Sequence, residues 1–550
     1  MKSKFILAVL LVSFLEINAQ QTPVFKMVKD INPTGDSFPE NLIKVDSKIF
    51  FSADDGVHGK ELWVTDGTET KLVKDINPGS NGSDIYNLKV LNGKLFFTAT
   101  DETYGNELWT SDGTEAGTVL VKDMYPGSGG SYAFEFVEFN NALYFRSEDG
   151  VHGTELWKTD GTTEGTVMVT DLREGEFGSN PSSMTVLNGK LYFNALDGFD
   201  FDNGQHGFEL WVTDGTAGGT QMVKDISAES SYPSNLKAFG NKIYFNADDG
   251  THGIELWATD GTSDGTYMVK NINTGGNGNS LPADFIDLNG KLLFTAYSSD
   301  TGREMWTTDG TEAGTKILKD VYEGPDNGVI PQFKYIIYNN KLFMTLKDAE
   351  HGGEIWMTDG TTEGTQLFMD VFPGPFDSMG VTISPMLFQV MGGKLYFRAI
   401  NSEEYYQLWK SDGTLAGTQK ITADPENPSQ DALGYTPYFT AFDDKLYFTA
   451  KYNDSGYELW TVAADEAMAV TDFSKNQFSV YPNPVADIIN ISGDSPISSV
   501  QIYDYSGKLL LSEPANSKKL QLNVSSLPKG NYVVKVLSGQ KSSSYKIIKK

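Results

Sequence analysis

Apolar runs of three or four residues return along the chain, as "KLFF" at 94–97, "KLYF" at 190–193 and "KIYF" at 242–245. Each is apolar on both faces, the pattern of a strand covered on both sides by neighbouring layers. Between 86 and 124 such runs and polar pairs resolve into four strands. "YNLKVL" (86–91) comes first, and Asn92-Gly93 leads it into "KLFFTAT" (94–100), because Asn-Gly favours a two-residue hairpin. "ELWTS" (107–111) is third, reached through a glycine-containing loop, and "DGTEAGT" (112–118) turns the chain into the fourth, "VLVKDM" (119–124).

All nine tryptophans fall in one slot of this pattern, on the third strand: Trp63, Trp109, Trp157, Trp211, Trp257, Trp306, Trp356, Trp409 and Trp460, with separations of 46–54 residues. A period near 50 belongs to four-stranded propeller blades and is far longer than the coil of a β-helix. The expected fold is all-β: a β-propeller of nine four-stranded blades and a small C-terminal β-sandwich. Recurrence in every unit assigns the tryptophans to the scaffold, packed between blades. Fourth strands follow units one to eight, from "KLVKDI" (71–76) to "TQKITA" (418–423), whereas unit nine loses the "DGT" turn and reads "ELWTVAADEAMAV". "FKMVKDI" (25–31), ahead of unit one, carries the fourth-strand pattern. Pairing it with unit nine completes nine sheets and hides edges that would otherwise invite aggregation. "AMAVTDF" (467–473) competes for that slot.

Composition adds tight turns, through 56 glycines and 12 % aromatics, and a location. The first residues, "MKSKFILAVLLVSFLEINAQ", have a basic start, an apolar stretch from Phe5 to Leu15 and Ala19 as a cleavage residue. That is too short to span a bilayer and reads as a removed secretory signal over 1–19, with the propeller over 20–473 and a further domain over 474–550. No later segment is apolar enough to cross a membrane. Cysteine is absent, which excludes disulfides and thiolate metal sites. The net charge of −30 is uneven: residues 475–550 hold ten lysines against four acidic residues and the first twenty hold two against one, which leaves −37 on residues 21–474. An acidic body argues against nucleic acid and anionic membranes as partners.

The string "ELWxTDGTxxGT" recurs nearly intact over about 25–473 and resembles the ELWxxDGT repeats of secreted bacterial proteins. Unit one lacks the second Gly-Thr, unit eight has Gln407 for the glutamate, and unit nine departs most. The resemblance brings no activity with it. From about 474 the chain resembles the type A C-terminal sorting domain of the Bacteroidetes type IX secretion system, through "YPNP" (481–484), "VQIYDYSGKLL" (500–510), "LPKGNYVVKV" (527–536) and "KIIKK" (546–550). This resemblance implies that 474–550 engages the type IX secretion machinery. It also implies release or attachment at the outer cell surface, with removal of the domain and a basic tail meeting an acidic surface of the machinery.

Three polar residues travel with the tryptophan. His58, His152, His206, His252 and His351 each lie five residues before one, where the other units have Tyr104, Thr301, Glu404 and Ser455. A ring of imidazoles invites a metal, but zinc ligands sit about 2 Å from the ion and packed sheets lie about 10 Å apart. The histidine therefore reads as a turn residue held by local hydrogen bonds. The glutamate two before Trp, from Glu61 to Glu458, repeats in similar surroundings, unlike a catalytic pair tuned apart by its environment. It reads as a scaffold bond to the next blade. The aspartate of "DGT", from Asp66 to Asp412, accepts bonds from the amides ahead of it while glycine supplies positive φ.

Function is better sought where the units differ. Unit four carries "DGFDFDNGQHG" (197–207), whose Asp197, Asp200, Asp202 and Asn203 are weak candidates for calcium, although the spacing is not that of an EF-hand loop. "YEGPDNGVIP" (322–331) and "ADPENPSQDALGYTP" (423–437) also vary. No nucleophile elbow, phosphate loop or HExxH occurs. No catalytic residue is assigned and no cofactor is expected beyond that possible calcium. The reading is an exported binding or interaction propeller for a glycan, a peptide or a surface protein. The alternatives are an enzyme acting on an extracellular polymer and a structural matrix component.

Overall fold

A computed structural model describes residues 25–550 apart from 200–203, 275–277, 332, 375–387, 401–405, 422–432, 434–437, 453–455, 465–477, 483, 504–508 and 539–540. The chain divides into two compact units, one ending at Ala464 and the other beginning at Asp465.

The first unit is built of nine four-stranded antiparallel sheets, with a single short 3-10 turn at Ala217–Gly219 among its described residues. Sheet two is typical: Tyr86–Leu91, Lys94–Asp101, Gly105–Ser111 and Val119–Lys122 follow one another in the sheet as in the chain. Asn92 and Gly93 both take positive φ (50° and 73°), the geometry of the tight hairpin. The central "KLFFTATD" strand is buried through Leu95–Ala99, as its two-sided apolarity requires. Pairing shifts register between Leu108 and Trp109, a bulge that recurs at the same place in sheets one to seven.

Neighbouring sheets share their cores. Trp109 of sheet two lies with Val64, Val73 and Ile76 of sheet one, and Trp157 of sheet three with Leu108, Val121 and Met124 of sheet two. Phe25–Lys29 pairs antiparallel with Glu458–Ala463, bringing Met27 opposite Trp460, so the N-terminal strand supplies the fourth place in sheet nine. The rival segment 467–473 lies outside the described residues. One further cluster joins Phe442, Tyr447 and Leu459 of sheet nine to Ile49, Phe51 and Trp63 of sheet one.

The second unit departs from the expected sandwich. Phe478–Tyr481, Ile488–Tyr503, Leu509–Asn523, Gly530–Ser538 and Lys541–Lys549 form one five-stranded antiparallel sheet, a half-barrel, not two stacked layers. The 16-residue strand Ile488–Tyr503 explains the difference. Its first half pairs with Phe478–Tyr481, its second half with Gly530–Ser538, and Leu509–Asn523 runs beside both. The sheet rolls around Ile489, Ile491, Val500, Ile502, Val534 and Ile547. The terminal "KIIKK" is part of this sheet up to Lys549, and Val485 exchanges backbone bonds with Ile548 and Lys550. Among the described residues no helix is long and apolar enough to cross a membrane.

Candidate binding cleft

The repeated polar residues are consumed by the scaffold. Glu107, fully buried, accepts bonds from the amides of Met124 (3.2 Å) and Tyr125 (2.9 Å) and from the Ser131 hydroxyl (2.6 Å). It thereby ties the third strand of sheet two to the linker that enters sheet three. Glu61 does the same with Ile76, Asn77 and Ser83, and Glu458 with Ile31, Asn32 and Ser37. All of these donors are neutral, so burial dominates and pushes the carboxyls of Glu61, Glu107, Glu155, Glu209 and Glu304 up to about 7.

Each histidine closes a local pair. The imidazole Nδ1 lies 2.7 Å from an aspartate oxygen in His58–Asp55, His152–Asp149 and His252–Asp249, 2.8 Å in His206–Asp197 and 2.9 Å in His351–Asp348. The bond to the carboxylate raises the pKa of His58, His152, His206 and His351. Asp197 spends its other oxygen on the amides of His206 and Gly207; Asp200, Asp202 and Asn203 lie outside the described residues. Among the described residues no three histidine, aspartate or glutamate side chains are placed to share a metal ion.

The "DGT" aspartates cap their own turns: Asp112 Oδ1 accepts from the Thr114 amide and hydroxyl, while Thr118 bridges Ser111 and the Thr114 carbonyl. In unit one, which lacks the second Gly-Thr, Thr70 reaches Thr65 instead. In several sheets a lysine of the fourth strand reaches the next sheet. Lys74 Nζ lies 5.6 Å above the Trp109 ring and donates to the Thr118 carbonyl at 3.0 Å. Lys29 over Trp63 does the same between sheets nine and one, donating to the Thr70 carbonyl.

An open cleft of about 810 Å³ lies at the head of sheet two, where its first two strands meet the linker to sheet three. Tyr86, Tyr132 and Phe134 form its aromatic walls, and Asp84, Asp101 and Glu102 its charge. Tyr86 and Tyr132 are 55 % and 60 % exposed. Asp84, Asn87 and Tyr132 sit at φ 47°, 56° and 47°, a region that costs a non-glycine residue about 1–3 kcal/mol, and the same left-handed places recur in other sheets, as at Phe38, Asn41, Tyr232 and Asn235. The strain is held by the amides of Ser131 and Tyr132, which both donate to the Asn106 carbonyl. The repeat pattern drew attention away from these residues. The legible signal is the place after the linker serine, where the units read Ser37-Phe38, Ser83-Asp84, Ser131-Tyr132 and Ser231-Tyr232. A buried serine is followed there by an exposed residue that changes from unit to unit. Of the variable stretches, 322–331 contributes Tyr322, Asp326 and Pro331 to a smaller cleft of about 260 Å³ beside Lys347, and 423–437 is outside the described residues except Leu433.

Residues 479–550 match the model of the secretion system C-terminal sorting domain. No curated protein matches the chain. Among solved structures it is similar to a prolyl endopeptidase (11 % identity, 69 % of this chain and 55 % of that one, TM-score 0.38). It is also similar to PorZ, a surface component of the type IX secretion system of Porphyromonas gingivalis (12 %, 94 % and 82 %, TM-score 0.24). A third is oligopeptidase B from Leishmania major (11 %, 69 % and 53 %, TM-score 0.37). The chain spans little more than half the length of the two peptidases. The sorting domain makes this a protein that is secreted or attached to the outer cell surface, its C-terminal domain engaging the secretion machinery.

Proposed function

We propose that residues 20–473 form a closed nine-bladed propeller of ELWxxDGT repeats that acts outside the cell as a binding module for a glycan, a peptide or another surface protein. Residues 1–19 serve as the export signal and 474–550 as the removable sorting domain. Closure is supported by the pairing of Phe25–Lys29 with Glu458–Ala463 and by the cluster that unites sheets nine and one.

The observation that carries the binding role is the division of labour among polar residues. The glutamates, histidines and "DGT" aspartates that repeat are tied up in scaffold bonds, whereas the open cleft of sheet two is lined by unit-specific tyrosines and carboxylates. The test is binding of the purified chain to a glycan array and to the surface proteome of the producing cells, repeated with Tyr86→Ala and Tyr132→Ala. Retention of a ligand with at least tenfold loss in the variants is the expected result. No binding, together with turnover of a polysaccharide or peptide, overturns the reading in favour of an enzyme.

A further inference from the structure

The head of each sheet can be compared position by position, because the strand registers are equivalent. Thr98, Thr100 and Asn106 of sheet two stand where sheet one has Ser52, Asp54 and Lys60 and sheet nine has Thr449, Lys451 and Tyr457. In most sheets one of these three places holds a cation. Lys60 pairs with Glu40 at 2.8 Å. The Arg146 guanidinium stacks 3.5 Å from the Phe134 ring, and Arg303 donates to Thr295 and to the Leu281 carbonyl. Arg398 lies 4.1 Å from the Tyr406 ring. Lys451 reaches Asp36 at 3.7 Å beneath the Tyr457 ring, itself stacked on Phe38. Arg146, Arg398 and Lys451 thus lie against an aromatic ring, Lys60, Arg303 and Lys451 meet an oxygen acceptor, and Lys451 has both.

Sheet two lacks the cation: Tyr86 stands at the place of Glu40 and Gly130 at that of Asp36, and its carboxylates come instead from Asp84, Asp101 and Glu102. Its three places hold neutral side chains that satisfy one another locally: Thr98 donates to the Tyr86 carbonyl, and Asn106 to Thr100. What remains is the cleft of about 810 Å³, lined by Asp84, Asp101 and Glu102 and by Tyr86, Tyr132 and Phe134, with no lysine or arginine among its lining residues; Phe134 already carries Arg146 of sheet three, which leaves Tyr86 and Tyr132 as the open rings. Sheets four and five also lack the cation, but sheet four fills its head with Phe208 stacked on Tyr232, and sheet five carries Asn246, Asp248 and Ile254 at the three places. The body around the cleft carries −37, which raises the local concentration of cations further.

We propose that the cleft of sheet two binds a lysine or arginine side chain on an extended segment of a partner protein, taking from outside the cation that other sheets supply themselves. The ammonium or guanidinium lies against Tyr86 or Tyr132 and is met by Asp84 and Glu102, with room in the cleft for the flanking peptide. This rests on the binding-module reading and names its partner class.

The experiment is calorimetric titration of the full chain with tetralysine and tetraarginine peptides, with an uncharged Gly-Ser peptide, spermine and a neutral β-glucan oligosaccharide as comparisons. Two variants accompany it: Thr100→Lys, which installs the lysine of sheet nine, and the surface double variant Asp84→Asn with Glu102→Gln. Both cationic peptides should bind, the uncharged peptide should not, and each variant should lose at least tenfold in affinity with an unchanged thermal midpoint. If Thr100→Lys unfolds, the double variant alone decides. Absence of peptide binding, binding of spermine alone, or peptide affinity indifferent to the double variant overturns the proposal. Binding of the oligosaccharide in place of the peptides overturns this inference and leaves the binding module standing, whereas silence with every probe and with the surface proteome removes both.

Discussion

At the scale of single residues, the buried glutamates set the pH response. Glu107 gains three hydrogen bonds from neutral donors but no opposite charge, and burial holds its pKa near 7 against 4.5 when exposed. A carboxyl raised on folding binds more protons in the native than in the unfolded state. Its contribution to stability is fully present below about pH 4.5 and is lost as the pH rises through about 7. His58, His152, His206 and His351 act in the same sense, since the bond to their aspartates also raises their pKa values. The capping aspartates act in the opposite sense. Asp66, held near 2 by the Thr68 hydroxyl, contributes above 3.8 and loses that contribution only in strong acid. Stability is therefore expected to fall between pH 5 and pH 8. Glu107→Gln, which cannot titrate, should be less stable than the native chain at pH 5, and the gap should narrow by about 3 kcal/mol toward pH 8, at about 1.4 kcal/mol per pKa unit. Denaturant melts at both pH values measure it, and a gap independent of pH would show that Glu107 does not titrate in this range.

At the scale of elements, the "DGT" turn was legible because its chemistry is local. The aspartate, the glycine at positive φ and the threonine act within four residues. What lies beyond the turn was not legible. Gly161 takes φ 92°, and a Cβ there would stand 2.9 Å from Phe96 of the preceding sheet, a contact no spacing along one chain reveals. Gly161→Ala should cost about 2 kcal/mol or more, combining strain and overpacking. Gly189→Ala serves as the control, since it has positive φ (72°) but nothing within 4 Å, and should cost about 1 kcal/mol. Equal losses in the two would deny the contact with Phe96. The same distinction explains the sorting domain. Alternating apolar residues such as Ile489, Ile491, Val500 and Ile502 specify one buried face per strand, which a sandwich and a rolled half-barrel share. Only the changing partners of Ile488–Tyr503 separate the two. The cleft tyrosines escaped attention because a period argument rewards what repeats, and Tyr86 and Tyr132 matter through what does not.

At the scale of the whole molecule, export and the proposed closure each rest on one end of the chain. Removing 474–550 deletes the sorting domain and should trap the protein in the periplasm, as cell fractionation would report; unchanged surface display would refute the role of this domain. The proposed closure rests on the other end, where Phe25–Lys29 pairs with Glu458–Ala463. Without Phe25–Lys29, the strand Glu458–Ala463 has a partner on one side only and presents a row of unpaired amides and carbonyls. The same deletion strips Phe25 from Phe448 and Tyr452, uncovers Met27 opposite Trp460 and takes Val28 from the cluster around Trp63. With roughly 1 kcal/mol for each partly buried apolar side chain, the direct loss is about 3 kcal/mol. The larger effect is topological. Eight sheets would keep their four strands and their shared apolar cores, but the ninth would have one edge bare. A chain lacking 25–29 should therefore melt several degrees lower and self-associate as its concentration rises, in size-exclusion chromatography with light scattering. Adding back a peptide of residues 24–31 should reverse the association by re-forming that edge. A monomer of unchanged midpoint would mean that sheets one and nine hold together without the N-terminal strand, and would assign closure to the shared cluster around Trp63 and Tyr447 alone.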